Sequence, residues 1–380
     1  MAAIALPGPR RGLRDALSRL HWPLIGMLSL IAGAGVITLY SVAEGSWTPW
    51  AASHAIRYGA SLLLLIVVAI VGMRVWTALA YPIYAVALGA LALVPFIGKT
   101  VMGAQRWIDV GHFQFQPSEL MKIGLVLALA RYYHGLRVEQ VSHVLYLIPP
   151  AILIGAPVAL VFMQPDLGTA MMLAMTGVGL IILAGLSWRI AFLGVVGAGV
   201  GAYLAYRFDI LKQYQVERIL TFLDPDRDPL GKGYHLLQSK IGLGSGGLDG
   251  KGFMEGTQSE LKFLPEMQTD FIFTIFGEEF GFVGAVALLG LYFVVIMTGV
   301  GIALRAKTHF ARLTAMGVLV TFALYVLINS GMVMGLAPVV GVPLPLVSYG
   351  GTVMLTIMAG FGLVMSAHLS REPDALSRLL

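Results

Sequence analysis

The chain has 380 residues, 58% of them hydrophobic and 12% charged, about half the ~25% charge of an ordinary soluble domain. Mean hydropathy is +0.83, and apolar runs of the ~20 residues needed to cross a ~30 Å hydrocarbon core recur along the sequence, which excludes a soluble globular protein. Cysteine is absent, so thiol nucleophiles, iron–sulfur clusters, Cys-based zinc sites and disulfides are excluded as well. The eight histidines show no metal-ligand spacing.

Taken in order, the apolar runs between charges predict membrane helices near 22–42, 55–73, 75–97, 117–133, 144–163, 166–186, 190–206, 271–304, 311–334 and 344–367. Membrane strands are excluded because they need alternating segments of ~10 residues, whereas residues 61–72 are almost uninterrupted Leu, Ile, Val and Ala. The fold class expected is an all-α integral membrane protein, a bundle of about ten transmembrane helices with one large extracytoplasmic loop. Its divisions are a cytoplasmic tail 1–21, helices one to seven over 22–207, the loop 208–270, helices eight to ten over 271–368, and a cytoplasmic tail 369–380. Arg10-Arg11 precedes an apolar run too long for a signal-peptide core, so that run is read as a retained first span.

Orientation follows from Lys and Arg in the short connections. With the N-terminus inside, the inner segments hold Arg10, Arg11, Arg14, Arg19, Arg74, Arg131, Arg137, Arg189, Arg305, Lys307, Arg312, Arg371 and Arg378, and the outer ones only Arg57, Lys99 and Arg106. Both ends are therefore expected in the cytoplasm, and the net charge of +5 is a topology signal with no separate nucleic-acid patch. The 208–270 loop carries seven Lys/Arg and ten Asp/Glu. Its aromatic and aliphatic residues, among them Tyr214, Phe222, Tyr234 and Leu236, predict partial order against the membrane surface.

Two constellations could carry chemistry. Gln116-Pro117-Ser118-Glu119-Leu120-Met121-Lys122 opens the fourth span with proline at a tolerated helix start. It places Glu119 and Lys122 at i and i+3 on one face, either as a helix-end ion pair or as charges facing a cavity. The second is Phe263-Leu264-Pro265-Glu266-Met267-Gln268-Thr269-Asp270-Phe271-Ile272-Phe273, followed by Glu278 and Glu279. A continuous helix over 271–304 would measure ~51 Å, more than a bilayer core requires, so its first turns must project outward or the helix must tilt. Asp270 would then stand at the outer interface, either as a carboxylate meeting a membrane-anchored substrate or as a helix cap, where the dipole favours its charge and weakens it as a base.

Three further segments are candidates. Gly242-Leu243-Gly244-Ser245-Gly246-Gly247 matches the dinucleotide fingerprint literally but lacks any βαβ surround. It reads as a glycine-rich turn, flexible or offering Ser245 and nearby N–H groups to a phosphate or sugar. Gln164-Pro165-Asp166-Leu167-Gly168-Thr169 is a tight turn with Asp166 as helix cap. Residues 341–351 break the chain before the last span, which requires burial or a wet cavity. The spacings Gly197/Gly201 and Gly331/Gly335 predict helix-packing contacts.

These segments, with Phe222-Leu223-Asp224-Pro225, Gly231-Lys232-Gly233-Tyr234-His235 and Pro343-Leu344-Pro345-Leu346-Val347-Ser348-Tyr349-Gly350-Gly351, occur in one order over nearly the whole chain. Together they resemble the SEDS family (shape, elongation, division and sporulation). Gly331-Met332-Val333-Met334-Gly335 and the Pro338–Leu346 run that follows resemble its elongation branch more than its division branch. Asn329-Ser330-Gly331 and Val353 depart from the family pattern.

The resemblance implies a ten-span peptidoglycan glycosyltransferase of the bacterial cytoplasmic membrane. It would polymerise lipid II on the outer face, with inversion and release of undecaprenyl pyrophosphate. Expected partners are a class B penicillin-binding transpeptidase and other membrane proteins of the elongation complex, and expected cofactors are Mg²⁺ or Mn²⁺. Asp270 corresponds to the family's essential aspartate, and Glu119 and Lys122 to its paired charges. Positive charge for the pyrophosphate would come from Lys122, Arg218 or Lys251, and Ser348 would contact substrate. A lipid II flippase and a non-catalytic scaffold of the wall-elongation complex are the alternatives. The first would need an inner opening, and the second would need none of these charges.

Overall fold

The computed structural model describes residues 13–101, 104–111, 113–208, 213–224, 227–228, 231–261 and 263–370. Arg10, Arg11, Arg371 and Arg378 of the charge count, and Pro225, lie outside the described residues.

After the short α1 (Leu13–Ser18) come α2 (Trp22–Val42), α3 (Ala51–Ile70) and α4 (Met73–Ile97), then a three-stranded antiparallel sheet in the order β1 (Lys99–Val101), β2 (Ala104–Val110), β3 (Phe113–Phe115). The chain continues through α5 (Pro117–His134), α6 (Val138–Val141), α7 (Val144–Met163), α8 (Leu167–Leu183) and α9 (Trp188–Arg207). Three helices, α10 (Gln213–Leu223), α11 (Lys232–Ser245) and α12 (Thr257–Leu261), occupy the long loop, and α13 (Ile272–Leu304), α14 (His309–Val333) and α15 (Gly351–Leu369) complete the bundle. The described part of the loop thus carries three helices, and the sheet is an element that apolar periodicity alone does not reveal.

Eight of the ten long helices are long and apolar enough to cross a membrane. The other two fall at predicted spans and differ for physical reasons. Helix α8 has 17 residues, and α5 carries Glu119, Lys122 and Arg131 within its 18. The rings of His21 and His368 meet at 5.5 Å, so the start of α2 and the end of α15 share one end of the bundle. At the other end the Arg57 guanidinium stacks over Tyr349, 4.4 Å from the ring centroid.

Helices α14 and α15 form the centre, and the most extensive packing joins α15 to α3 and α4 to α5. Close approach there depends on glycine: a Cβ at Gly362 of α15 would lie 2.7 Å from Val68 Cβ and 2.8 Å from Leu65 O on α3. The expected packing role of Gly197 and Gly201 is overturned. Nothing lies within 4 Å of a Cβ at either, and none of the described side chains of α9 is buried. Gly331 and Gly335 end α14: Leu336 N–H bonds Gly331 O at 2.7 Å and Gly335 N–H bonds Met332 O at 3.1 Å, with Gly335 at φ +76 and its absent Cβ 2.1 Å from Lys240 Cε of α11. This is a Schellman turn.

Helix α13 neither projects nor tilts as one rod. It breaks at Gly281 (φ 66, ψ −167), and residues 271–279 before the break are all buried. The backbone groups freed by the break find partners in 247–252: Phe282 N–H bonds Gly247 O at 2.9 Å, and Lys251 N–H bonds Glu278 O at 3.0 Å. Glycine is required there, because a Cβ at Gly281 would lie 2.2 Å from Gly250 N in a backbone region that only glycine adopts readily. Gly281→Ala is expected to cost at least about 1–3 kcal/mol, read as a lowered thermal unfolding midpoint in detergent.

Candidate active site

The loop before α13 is anchored by the buried apolar residues Leu264, Met267 and Phe271, which leaves Glu266, Gln268, Thr269 and Asp270 half-buried between them. Glu266 O collects the N–H groups of Thr269 (3.0 Å) and Asp270 (3.1 Å), folding the segment into a tight turn. Asp270 does not cap the helix: the cap position of α13 is Phe271, with no side-chain bond to the helix end.

Three successive carbonyls of this loop are held from the C-terminal part of the chain. Gln268 O accepts Tyr349 N–H at 2.8 Å, Thr269 O accepts the Ser348 hydroxyl at 2.5 Å, and Asp270 O accepts Asn329 Nδ2 at 2.9 Å. The irregular segment 335–350 that supplies two of these donors is buried in protein at 340, 342 and 344–348, as irregular backbone at membrane depth must be. His54 Nε2 lies 2.9 Å from Leu346 O, and the Tyr292 hydroxyl donates to Pro345 O at 2.5 Å. A Cβ on Gly341 would stand 3.2 Å from Asp270 Oδ2.

The Glu119–Lys122 pair forms at 2.6 Å with both side chains 3% exposed, and it has a third member. The Tyr325 hydroxyl donates to Glu119 Oε2 at 2.7 Å and accepts from Lys122 Nζ. The charges therefore sit inside the bundle and not at a wetted helix end. A small, partly open cavity borders them, lined by Lys122, Tyr325 and mostly apolar side chains including Val126, Phe322, Ile357 and Phe361. Tyr325 and Asn329 are i and i+4 on α14, ~6 Å apart along its axis, so one helix face touches both the buried pair and the Asp270 loop.

Ser245 and Lys251 come together on Glu278. This fully buried carboxylate accepts Lys251 Nζ (2.6 Å), Thr257 N–H (3.0 Å), Thr257 Oγ1 (2.8 Å) and Gln258 N–H (3.0 Å), with Ser245 Oγ at 3.3 Å. The reading of 242–247 as an open glycine-rich turn is corrected accordingly. Residues 232–245 are helix, and a Cβ at Gly246 would lie 2.3 Å from Gly277 O, so glycine there admits α13. Glu278→Gln, which removes the charge from this network, is expected to loosen residues 246–261 by about 3 kcal/mol, measured as faster limited proteolysis within that stretch.

Arg218 stands apart from these groups, lining a smaller cavity with Thr221, Phe222, Leu236 and Val339. Asp166 caps α8 as expected, accepting Thr169 N–H at 3.1 Å. Arg106 braces that turn through Pro165 O at 2.5 Å and Asp166 Oδ2 at 3.7 Å. Sequence reasoning missed Tyr325, Asn329 and the structural use of Arg106. The signal available for the first two was a polar i, i+4 pair inside an apolar span. Among the described residues no three His, Asp or Glu side chains converge as a metal cage.

The family model described as cell cycle protein, covering FtsW, RodA and SpoVE, matches residues 16–372. The peptidoglycan glycosyltransferase MrdB of Escherichia coli K12 is 45% identical over 320 residues, 82% of this chain and 83% of the relative. Stage V sporulation protein E of Bacillus subtilis is 33% identical over 90% of this chain and 95% of that one. Among solved structures, a chain from a peptidoglycan synthase complex that coordinates polymerisation and crosslinking superposes with TM-score 0.82 at 34% identity, covering 93% of this chain and 99% of that one. The rod shape determining protein RodA of Thermus thermophilus superposes with TM-score 0.71 at 30% identity, covering 93% and 98%. With the family model matched over residues 16–372 and solved structures of 30–34% identity superposing over 93% of its length, the chain is an integral membrane protein that belongs to the SEDS family of FtsW, RodA and SpoVE proteins.

Proposed function

We propose that this chain is a peptidoglycan glycosyltransferase that polymerises lipid II into glycan strands during cell elongation. The observation that carries this reading is the half-buried Asp270 on a loop held at three successive carbonyls, one turn of α14 from a fully buried Glu119–Lys122–Tyr325 group. The names of its relatives support the same reading.

In this scheme the Asp270 carboxylate takes the proton of the acceptor sugar hydroxyl. The freed oxygen attacks the donor's anomeric carbon from the face opposite the leaving group, and the bond from that carbon to the diphosphate oxygen breaks. Undecaprenyl pyrophosphate departs and the anomeric centre is inverted. General-base help of this kind is worth ~10²–10⁴ in rate. Lys122 and Lys251 each meet a carboxylate at 2.6 Å, and we draw the positive charge for the diphosphate from Lys122, Arg218 and Lys251 together, with Glu119 holding Lys122 and shaping the cavity. Mg²⁺ or Mn²⁺ would enter with the diphosphate, as Mg²⁺ commonly does with phosphate substrates; no step is routed through it.

The family points to the bacterial cytoplasmic membrane, and the charge count favours both termini inside, which would set the Asp270 loop outside with the lipid II head group. A class B penicillin-binding transpeptidase is the proposed partner, supported by the likeness to a chain of a synthase complex. Purified protein with its candidate transpeptidase is expected to convert labelled lipid II into glycan strands. Absence of strands beside an active control polymerase in the same detergent and metal would overturn the reading, and lipid II translocation in its place would favour the flippase.

A further inference from the structure

We infer that Asn329 and Ser348 are positioning residues for Asp270, acting through the backbone of its loop and not through contact with substrate. This rests on the reading of Asp270 as the general base.

Both side chains are buried, and their donors are fully engaged. The single hydroxyl proton of Ser348 goes to Thr269 O at 2.5 Å, while its oxygen accepts Leu344 N–H at 2.7 Å. Asn329 Nδ2 has two hydrogens, given to Asp270 O at 2.9 Å and Val342 O at 2.7 Å. Two carbonyl acceptors also settle the orientation of the amide, because the reverse assignment would set oxygen against oxygen. Neither group has a proton left to offer a sugar or a phosphate.

Each of these side chains joins the same two pieces of irregular backbone. On one side is the loop ending in Asp270, and on the other the segment carrying Gly341, Val342 and Leu344. Gly341 takes φ +75 and lacks a Cβ, and this lets the backbone lie against the aspartate, with the absent Cβ position 3.2 Å from Oδ2. The two staples thus fix both the stem of the carboxylate and the wall beside it. A general base works only within hydrogen-bond reach of the proton it takes, and a displacement of ~1 Å can cost ~10²-fold in rate. Asn329 connects this geometry to Tyr325 one turn earlier, so the base and the buried ion pair share one rigid support.

The test is steady-state polymerisation of lipid II by the full chain, with kcat and KM separated and the thermal midpoint recorded for each variant. Asn329→Ala and Ser348→Ala are each expected to lower kcat about 10–100-fold, with KM within about twofold of wild type. Ser348→Thr, which keeps the hydroxyl, is expected to recover most of the loss. A rise in KM at unchanged kcat would make these residues substrate contacts and overturn the inference, and so would unchanged kinetics. If Asn329→Ala fails to fold, the Ser348→Ala and Ser348→Thr pair decides. Asp270→Asn in the same assay separates the two levels: full activity there removes the base itself, whereas its loss beside fully active Asn329→Ala and Ser348→Ala removes only the positioning role.

Discussion

Asp270→Asn is expected to slow glycan polymerisation by about 10²–10⁴-fold while leaving lipid II binding within a few-fold of wild type and the thermal midpoint unchanged. The two side chains have the same shape, and the loop is held through carbonyls 268–270, none of which the substitution touches. The Gly341 wall beside the carboxylate is also preserved. What the variant loses is the capacity to accept a proton, so a selective fall in turnover reports chemistry and not folding. Polymerisation at the wild-type rate would take Asp270 out of the reaction. A fall in rate accompanied by an equal fall in midpoint would make its role architectural.

Helix positions were legible in the sequence because each span is an apolar run bounded by charge or glycine, and the observed bounds lie within a few residues of the expected ones except at the last span, which begins at Gly351 and not at 344 because residues 344–350 are largely apolar but irregular. The break at Gly281 was not legible. The chain has 46 glycines, and what singles this one out is the approach of residues 247–252 to its backbone, a contact between segments with no local signature. The exposure of α9 escaped for the same reason: its hydropathy is that of any span, and only the assembled bundle shows that its Gly197 and Gly201 meet nothing. The strands at 99–115 were read as a plain connection because runs this short leave little periodicity to detect.

The site divides along a similar line. Asp270 and the Glu119–Lys122 pair could be named from spacing and family pattern, since charge inside or beside an apolar span is conspicuous. Their supports could not. The family resemblance implies Ser348 as a substrate contact, and nothing near it in sequence signals that its hydroxyl meets the Thr269 carbonyl 79 positions away. Nor did the sequence signal that Lys251 and Ser245, named for a phosphate or sugar, converge on Glu278. A side chain's bond to distant backbone is set by how helices dock, and that information is spread over the whole core.

Lys122→Met should destabilise the protein by about 3–5 kcal/mol, the usual cost of stranding one member of a buried ion pair. Glu119 would keep only the Tyr325 hydroxyl at 2.7 Å, in surroundings where Lys122 and Glu119 are each 3% exposed. Glu119→Gln strands the ammonium in the same way. The double variant Glu119→Gln with Lys122→Met is expected to recover most of the stability, because no net charge stays buried and the new amide can still accept from Tyr325. The two losses would therefore be strongly non-additive, as contacting residues allow. Thermal unfolding of the four proteins in one detergent measures the coupling, and polymerisation by the same samples measures what the charge does. If the pair shapes the cavity through its field, the double variant will be stable and still slow. If turnover returns with stability, the pair is a structural clamp between α5 and α14, and the chemistry belongs to the Asp270 loop alone.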